Sequence, residues 1–127
     1  MERTVIIAGK EVRLKASALV PRLYRYKFGR DMVVDIARLQ KACAKAVNLP
    51  ADATEEERAE AQLTVTDLTL FEDVAYIMAK HGGTDVPDTP EEWLDSMDGL
   101  VPIYSILPVI LELWTAGQAT TSVAKKK

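Results

Sequence analysis

The residue types that catalyse reactions or bind metals are sparse in this chain. His81 is the only histidine, so the sequence offers no pair of histidine ligands for a metal ion. Its position beside Gly82 is typical of the last turn of a helix, where an imidazole interacts favourably with the helix dipole. Cys43, the only cysteine, shares a helical stripe with Ile36 and Leu39, which favours a small buried hydrophobic side chain over a nucleophile.

Two further motifs suggest ligand binding but have simpler explanations. Four acidic residues cluster around the start of a predicted helix: Asp85, Asp88, Glu91 and Glu92. Their spacing does not match a calcium-binding loop, and turn formation and helix capping account for them. The pair Gly82-Gly83 lacks the other glycines and the Lys-Ser/Thr of a phosphate-binding loop. The sequence therefore predicts no catalytic, metal or cofactor site, and we expect a protein that is not an enzyme.

The segment 21–30 has a different chemistry, because four cations are interleaved with Tyr24, Tyr26 and Phe28. Aromatic rings that stack on bases, together with cations that contact phosphates, are typical of a single-stranded nucleic-acid platform. The sequence pI of about 5.2 disfavours this function, since phosphates repel an acidic protein. A small nucleic-acid-binding regulator that uses residues 21–30 remains an alternative.

Charge is sorted along the chain. Residues 1–50 contain 11 Lys and Arg against 4 Asp and Glu, whereas residues 51–98 contain 14 Asp and Glu against only Arg58 and Lys80. Separated patches of opposite sign steer association with a complementary surface. We therefore expect the protein to associate with another polypeptide or with further copies of itself.

Length and composition predict one domain, since the 127 residues are 48% hydrophobic and 28% charged. The lone cysteine and the absence of a secretory pattern in the first residues predict a cytoplasmic protein. The longest apolar stretch, 100–114, contains Pro102, Pro108 and Glu112 and is shorter than the roughly 20 residues that span a bilayer. We expect no membrane partner.

Local patterns predict a β-hairpin followed by helices. Alternating runs at 4–8 and 11–15 flank Gly9, which predicts a hairpin whose apolar face packs on the helices. The period of apolar residues at 67–80 predicts a helix. Four polar residues carry the signals that begin other helices: Ser17, Asp31, Thr54 and Thr89. The expected fold is mainly α, a single helical domain at 1–116 with a small N-terminal β-hairpin.

The last predicted helix, at 99–116, is apolar on nearly all sides. Its polar side forms one narrow stripe of four residues: Ser105, Pro108, Glu112 and Thr115. A helix of this kind is buried in a core or bound to a partner. Residues 117–127 are small, polar and basic, and we expect them to form a flexible tail.

Five stretches together resemble the tail assembly chaperones of long-tailed phages and prophages of Gram-positive hosts. They are VRLKA (12–16), LYRYKFGRD (23–31), LFEDVAYIMAK (70–80), TPEEWL (89–94) and ILPVILELW (106–114). Their order and spacing cover most of the chain. The acidic connection 51–63 lies outside this pattern, and we assign it no role.

The resemblance implies a non-catalytic protein that binds the tape measure protein, keeps it soluble and helps tail tube subunits assemble around it. It implies a location in the host cytoplasm and absence from the mature virion. It also implies a ribosomal frameshift near the end of the gene, which gives a minor longer product. This product has a second domain, and its partner is the tail tube protein. Lys125, Lys126 and Lys127 fit this idea because consecutive lysine codons form an A-rich run. A solvating basic tail is the alternative interpretation.

We expect the partner contact to combine an apolar stripe with a polar rim. Leu107, Leu111 and Trp114 share one face of the last helix and would contact a helical partner in a groove. Tyr24 and Arg25 would supply the rim. In the alternative hypothesis the last helix is internal, and faces of opposite charge assemble the chain into a homo-oligomeric structural protein of a phage or prophage.

Overall fold

The computed structural model describes residues 1–62, 64–83 and 85–125, with the backbone alone at 46, 47 and 117–125. Within this part of the chain, a two-stranded antiparallel hairpin precedes six helices, so the expected mainly α fold with an N-terminal hairpin is confirmed. The strands are β1 (Glu2–Ile7) and β2 (Lys10–Lys15). The helices are α1 (Val20–Phe28), α2 (Met32–Val47), α3 (Glu55–Glu60), α4 (Val65–Gly82), α5 (Pro90–Asp95) and α6 (Ile103–Lys125).

The hairpin turn consists of Ala8 and Gly9, which both have positive φ angles of 51° and 80°. Two consecutive left-handed residues are the geometry of a type I′ turn, whose twist matches that of the strands. The turn pairs Ile7 with Lys10. This register directs Ile7, Val12 and Leu14 to the buried face of the hairpin.

Helix α4 is the centre of the fold, because it packs against β2, α1, α2 and α5. Most of its side chains from 67 to 79 are buried, including polar residues such as Asp67 and Asp73. The sequence predicts only one apolar stripe for this helix. The structure buries further sides of it because different elements cover different sides of the same helix.

Side-chain caps begin most of the helices where the sequence predicts them. The Asp31 side chain accepts a hydrogen bond from the Val33 N–H, and the Thr54 hydroxyl accepts one from the Glu57 N–H in a capping box. Thr89 caps α5 in the same way. The predicted cap at Ser17 is wrong, since α1 begins after Leu19 without a side-chain cap.

Helix α6 differs from its prediction at both ends. It begins at Ile103 and not at 99, because Pro102 disfavours helical backbone at the preceding Val101. At the other end the helical backbone continues past 116 to Lys125. The side chains of residues 117–125, and residues 126 and 127 entirely, lie outside the described residues. The flexibility that we expect of the tail at 117–127 therefore stays a prediction.

Candidate functional site

The predicted apolar contact on α6 runs from the core to the surface. Leu107 is only 1% exposed and belongs to the hydrophobic core. Leu111 and Trp114, one and two turns later, are half-buried and pack against the edge of that core. In this conformation, Leu111 and Trp114 are therefore accessible to a partner, whereas Leu107 supports them from inside.

The polar side of α6 faces solvent as predicted, since all four residues of the stripe are exposed. Beside it, Tyr104 is 63% exposed, and Leu100, just before the helix, is 94% exposed. Tyr104, Leu111 and Trp114 recur at helical spacing on one side of α6, which we call the α6 outer face. The sequence predicts Leu100 and Tyr104 as part of a helix that is buried or bound to a partner, and the structure leaves both side chains exposed.

The predicted rim residue Tyr24 lies in the core and not at a rim. Its hydroxyl donates a hydrogen bond to Asp35 Oδ2 at 2.6 Å and accepts one from Arg30 Nη2 at 2.9 Å. Arg30 also donates to Asp35 Oδ2 at 3.0 Å and to Asp73 Oδ2 at 2.5 Å. These four side chains, the Arg30 network, connect α1, α2 and α4.

The electrostatics of the Arg30 network follow from burial. Burial raises the pKa of Tyr24 above its usual range, and the hydrogen bond to Asp35 raises it further. Burial also raises the pKa of Asp73, against the opposing effect of Arg30. For Arg30 burial alone would lower the pKa, but hydrogen bonds to Asp73, Tyr24 and Asp35 outweigh it and raise the pKa. The network therefore holds the three helices together through a permanent guanidinium charge.

The described buried side chains leave no nitrogen or oxygen without a hydrogen-bond partner. The Arg30 network has all its polar groups satisfied, which is the condition under which a buried polar cluster stabilises a fold. Phe28 completes the site, because the Arg30 guanidinium lies 5.3 Å from the centre of its ring. We interpret this cluster as structural, and it explains why Tyr24 is withdrawn from the surface.

The other predicted rim residue, Arg25, is exposed on α1. Arg22 and Tyr26 lie on the same helix, and the Arg22 guanidinium lies 5.2 Å from the Tyr26 ring centre and donates to its hydroxyl at 2.7 Å. Lys27 donates to the carbonyl oxygen of Asp88. The structure therefore divides the segment 21–30, and its described exposed cations and rings no longer alternate as a stacking platform requires.

Part of the sorted charge is neutralised within the chain. Arg30 and Arg38, from the basic half, form ion pairs with Asp73 and Asp67 of the acidic half. The remaining acidic side chains concentrate near α5 and on α3, where all described side chains of the helix are exposed. The separation of charge is thus weaker on the folded surface than along the sequence.

His81 lies in the last turn of α4, as its sequence context predicts. Its Nε2 shares a hydrogen bond of 2.9 Å with Ser17 Oγ, a contact that the sequence does not indicate. The pKa of His81 is lowered, first by burial and then by the nearby charge of Lys15. This direction is opposite to the effect of a helix C-terminus. Ser17 also accepts a hydrogen bond from the Leu19 N–H, so the pair joins the end of α4 to the entrance of α1.

The described surface has clefts at the hairpin and at α2. One, of about 300 Å³, lies between the hairpin, the C-terminal end of α4 and α5, and its charged lining residues are of both signs. The other, of about 200 Å³, lies between α2 and the acidic segment after α3. Pockets for small molecules usually measure roughly 300–1,000 Å³ and are mostly apolar, so neither cleft is a favourable ligand site.

Among the described residues, no three His, Cys, Asp or Glu side chains are placed to hold a metal ion. None of the helices in the described ranges is both long enough and apolar enough to cross a membrane. No family model matches the chain, and no curated protein or solved structure is significantly similar to it.

Proposed function

We propose that this chain is a tail assembly chaperone of a long-tailed phage or prophage, which binds the tape measure protein and acts without catalysis. The α6 outer face is the observation that carries the proposal. It leaves the large side chain of Tyr104 63% exposed beside the half-buried Leu111 and Trp114, which pack against the core. Accessible apolar and aromatic side chains that adjoin one another are typical of protein-binding surfaces.

The chemistry of this face fits a long helical partner. A tape measure protein presents helices with apolar stripes, and such a stripe can pack along α6 in a helix-to-helix contact. Tyr104 offers a ring for apolar contact and a hydroxyl for a polar partner, which makes it a suitable anchor. Leu100, three residues before α6 begins, extends the apolar contact by its 94% exposed side chain.

The structure changes the residues that we propose for the contact. Leu111 and Trp114 remain, with Tyr104 in place of the buried Leu107, and Arg25 remains a candidate polar contact because it is exposed. Tyr24 is excluded from direct contact by its position in the Arg30 network.

Co-expression with the tape measure protein tests this proposal. We expect the wild-type chain to keep the tape measure protein soluble and to co-purify with it. The double variant Tyr104→Ala/Leu111→Ala should lose both effects, whereas Ser105→Ala/Glu112→Ala, on an exposed side of the same helix outside the outer face, should retain them. Circular dichroism checks that each variant is folded. Equal solubility of the tape measure protein with and without the chain would refute the proposal.

The longer product and the location are part of the same proposal. A slippery run at the codons of Lys125, Lys126 and Lys127, followed by an overlapping reading frame, would supply a second domain for the tail tube protein. Sequencing the gene and its downstream region tests this point, since an interrupted A-run would remove it. We further expect the chain in the host cytoplasm and absent from purified virions, which mass spectrometry of both fractions would show.

A further inference from the structure

The outer edge of β1 carries backbone groups without partners in the described chain. The Met1 nitrogen donates to the Ala16 carbonyl oxygen at 3.1 Å, and the Ala16 N–H donates to the Met1 carbonyl oxygen at 2.8 Å, so these two residues form a hydrogen-bonded pair. Such pairs alternate with non-hydrogen-bonded pairs along an antiparallel ladder. From the register of β1 and β2, Glu2, Thr4 and Ile6 therefore direct their N–H and C=O groups away from β2.

β1 itself has few of the features that protect strand edges, although α6 packs against the strand. The pairing with β2 is unbroken from Glu2 to Ile7, so β1 contains no bulge, and it contains no proline. Ile6 is 61% exposed, and the only cation of the strand, Arg3, is paired with Glu112 of α6 at 3.3 Å. Natural proteins usually guard exposed strand edges with prolines, bulges or inward-pointing charges. An edge strand without a proline or a bulge is a template for another strand.

We propose that β1 pairs with β1 of a second copy of this chain, antiparallel and about a twofold axis at Thr4. In this register Thr4 of one copy faces Thr4 of the other, and Glu2 faces Ile6 on either side. All three outward-facing residues of each strand then form hydrogen-bonded pairs, and the two hairpins become one four-stranded antiparallel sheet. The interface is isologous, because the same residues contribute from both copies.

The charges of β1 allow a second copy to pair in this register, because no like charges face each other. A twofold axis at Arg3 would place two Arg3 side chains directly opposite each other, which destabilises a strand pair. An axis at Val5 would leave Glu2 outside the pairing. The axis at Thr4 opposes two threonines, a favourable cross-strand pair, and each Arg3 keeps its own Glu112. The strand can thus pair with itself in one register without opposing like charges, and this inference does not depend on the proposed function.

Sedimentation velocity over a wide concentration range tests the dimer. We expect wild type to dimerise and Thr4→Lys, which puts two lysines together at the twofold axis, to weaken dimerisation by at least about tenfold. Thr66→Lys is the matched control, because Thr66 is an exposed threonine on α4 and the substitution changes the net charge equally. A wild-type chain that stays monomeric overturns the proposal, even if its β1 pairs with a different protein. Dimerisation of Thr4→Lys that is as strong as that of wild type also overturns it.

Disulfide trapping supplies an independent measurement. Facing residues of a hydrogen-bonded antiparallel pair have Cα atoms about 5.5 Å apart, within the range that a disulfide bridges. In a Cys43→Ala background, Thr4→Cys should form a covalent dimer on mild oxidation, and Thr66→Cys should not. Cross-linking that is equal in the two variants, or absent from Thr4→Cys, contradicts the register.

Discussion

Gly82 lies directly against the backbone of Arg13. A Cβ atom at position 82 would be 2.5 Å from the Arg13 carbonyl oxygen and 3.3 Å from the Cβ of Lys15. Helix α4 can therefore end against β2 only because residue 82 has no side chain. The sequence predicts Gly82 as a signal for the end of the helix, but the structure gives it a packing role inside the last turn.

Gly82→Ala should destabilise the protein. The steric overlap costs about 1–3 kcal/mol. The better helix propensity of alanine offsets up to about 1 kcal/mol of this cost. We therefore expect the free energy of unfolding to fall by about 1–2 kcal/mol. Urea denaturation measures it. Gly83→Ala is the control, since its Cβ would meet its nearest atoms at 3.4 Å. Equal stability of the Gly82 variant and wild type would show that β2 and α4 can move apart at no cost.

Arg30→Gln should destabilise the chain more strongly, because it leaves Asp35 and Asp73 buried without their cation. Removing one partner of a buried ion pair costs about 3–5 kcal/mol. The Arg30 side chain is 38% accessible, so we expect about 2–3 kcal/mol at neutral pH. Urea denaturation tests this value against Arg25→Gln, an exposed position on α1 that should change stability by less than about 0.5 kcal/mol. Similar values for both variants would contradict a structural role of the network.

Lowering the pH should recover part of the stability lost in Arg30→Gln. Burial raises the pKa of Asp73, and removing Arg30, which opposes this rise, moves the pKa further up. A carboxyl group whose pKa is higher in the folded chain binds its proton more tightly there, so stability increases as the pH falls from the folded pKa toward the ordinary value of 3.8. The difference in unfolding free energy between variant and wild type should shrink as the pH is lowered from neutral toward 3.8, the ordinary pKa of the group.

The double variant Arg30→Gln/Asp73→Asn provides the control for this pH dependence. It lacks the titrating carboxyl group at position 73, so its difference in unfolding free energy from the single variant Asp73→Asn, which lacks the same group, should change much less over the same pH range. A difference that widens at low pH in Arg30→Gln would assign the titration to another group.

The hairpin turn should respond in opposite directions to two substitutions. Ala8 adopts a φ of 51°, which asparagine tolerates better than alanine, so Ala8→Asn should stabilise the protein by about 0.5–1 kcal/mol. Gly9→Ala places a side chain at a φ of 80° and should cost about 1–2 kcal/mol. Thermal unfolding monitored by circular dichroism compares the two variants. Effects of the same sign would show that the turn changes its type.

Local structure followed closely from local sequence signals. Asp31, Thr54 and Thr89 begin helices where predicted, because a capping side chain bonds an amide only two or three residues further along the chain. Gly29 ends α1 with a φ of 70°, the left-handed conformation that glycine favours. The predicted start of α6 was wrong because a second local signal, Pro102, opposed helical backbone at the residue before it.

The candidate site depended on contacts between distant parts of the chain. The sequence places Tyr24 as an aromatic among cations, but the structure buries it in the core, where Arg30, its hydrogen-bond partner, also reaches Asp73, 43 positions away in the sequence. Likewise, the sequence of α6 indicated that its apolar residues must pack against other residues. It did not indicate that Leu107 is buried in the core whereas Tyr104 stays exposed.

The amino-acid sequence by itself determined the hairpin, most helix starts and the polar side of α6, since each depends on residues within one or two turns of chain. The tertiary structure alone decided which charged and aromatic residues are buried, because that depends on which helices pack together. Packing around α4 withdraws Tyr24 and leaves the α6 outer face accessible.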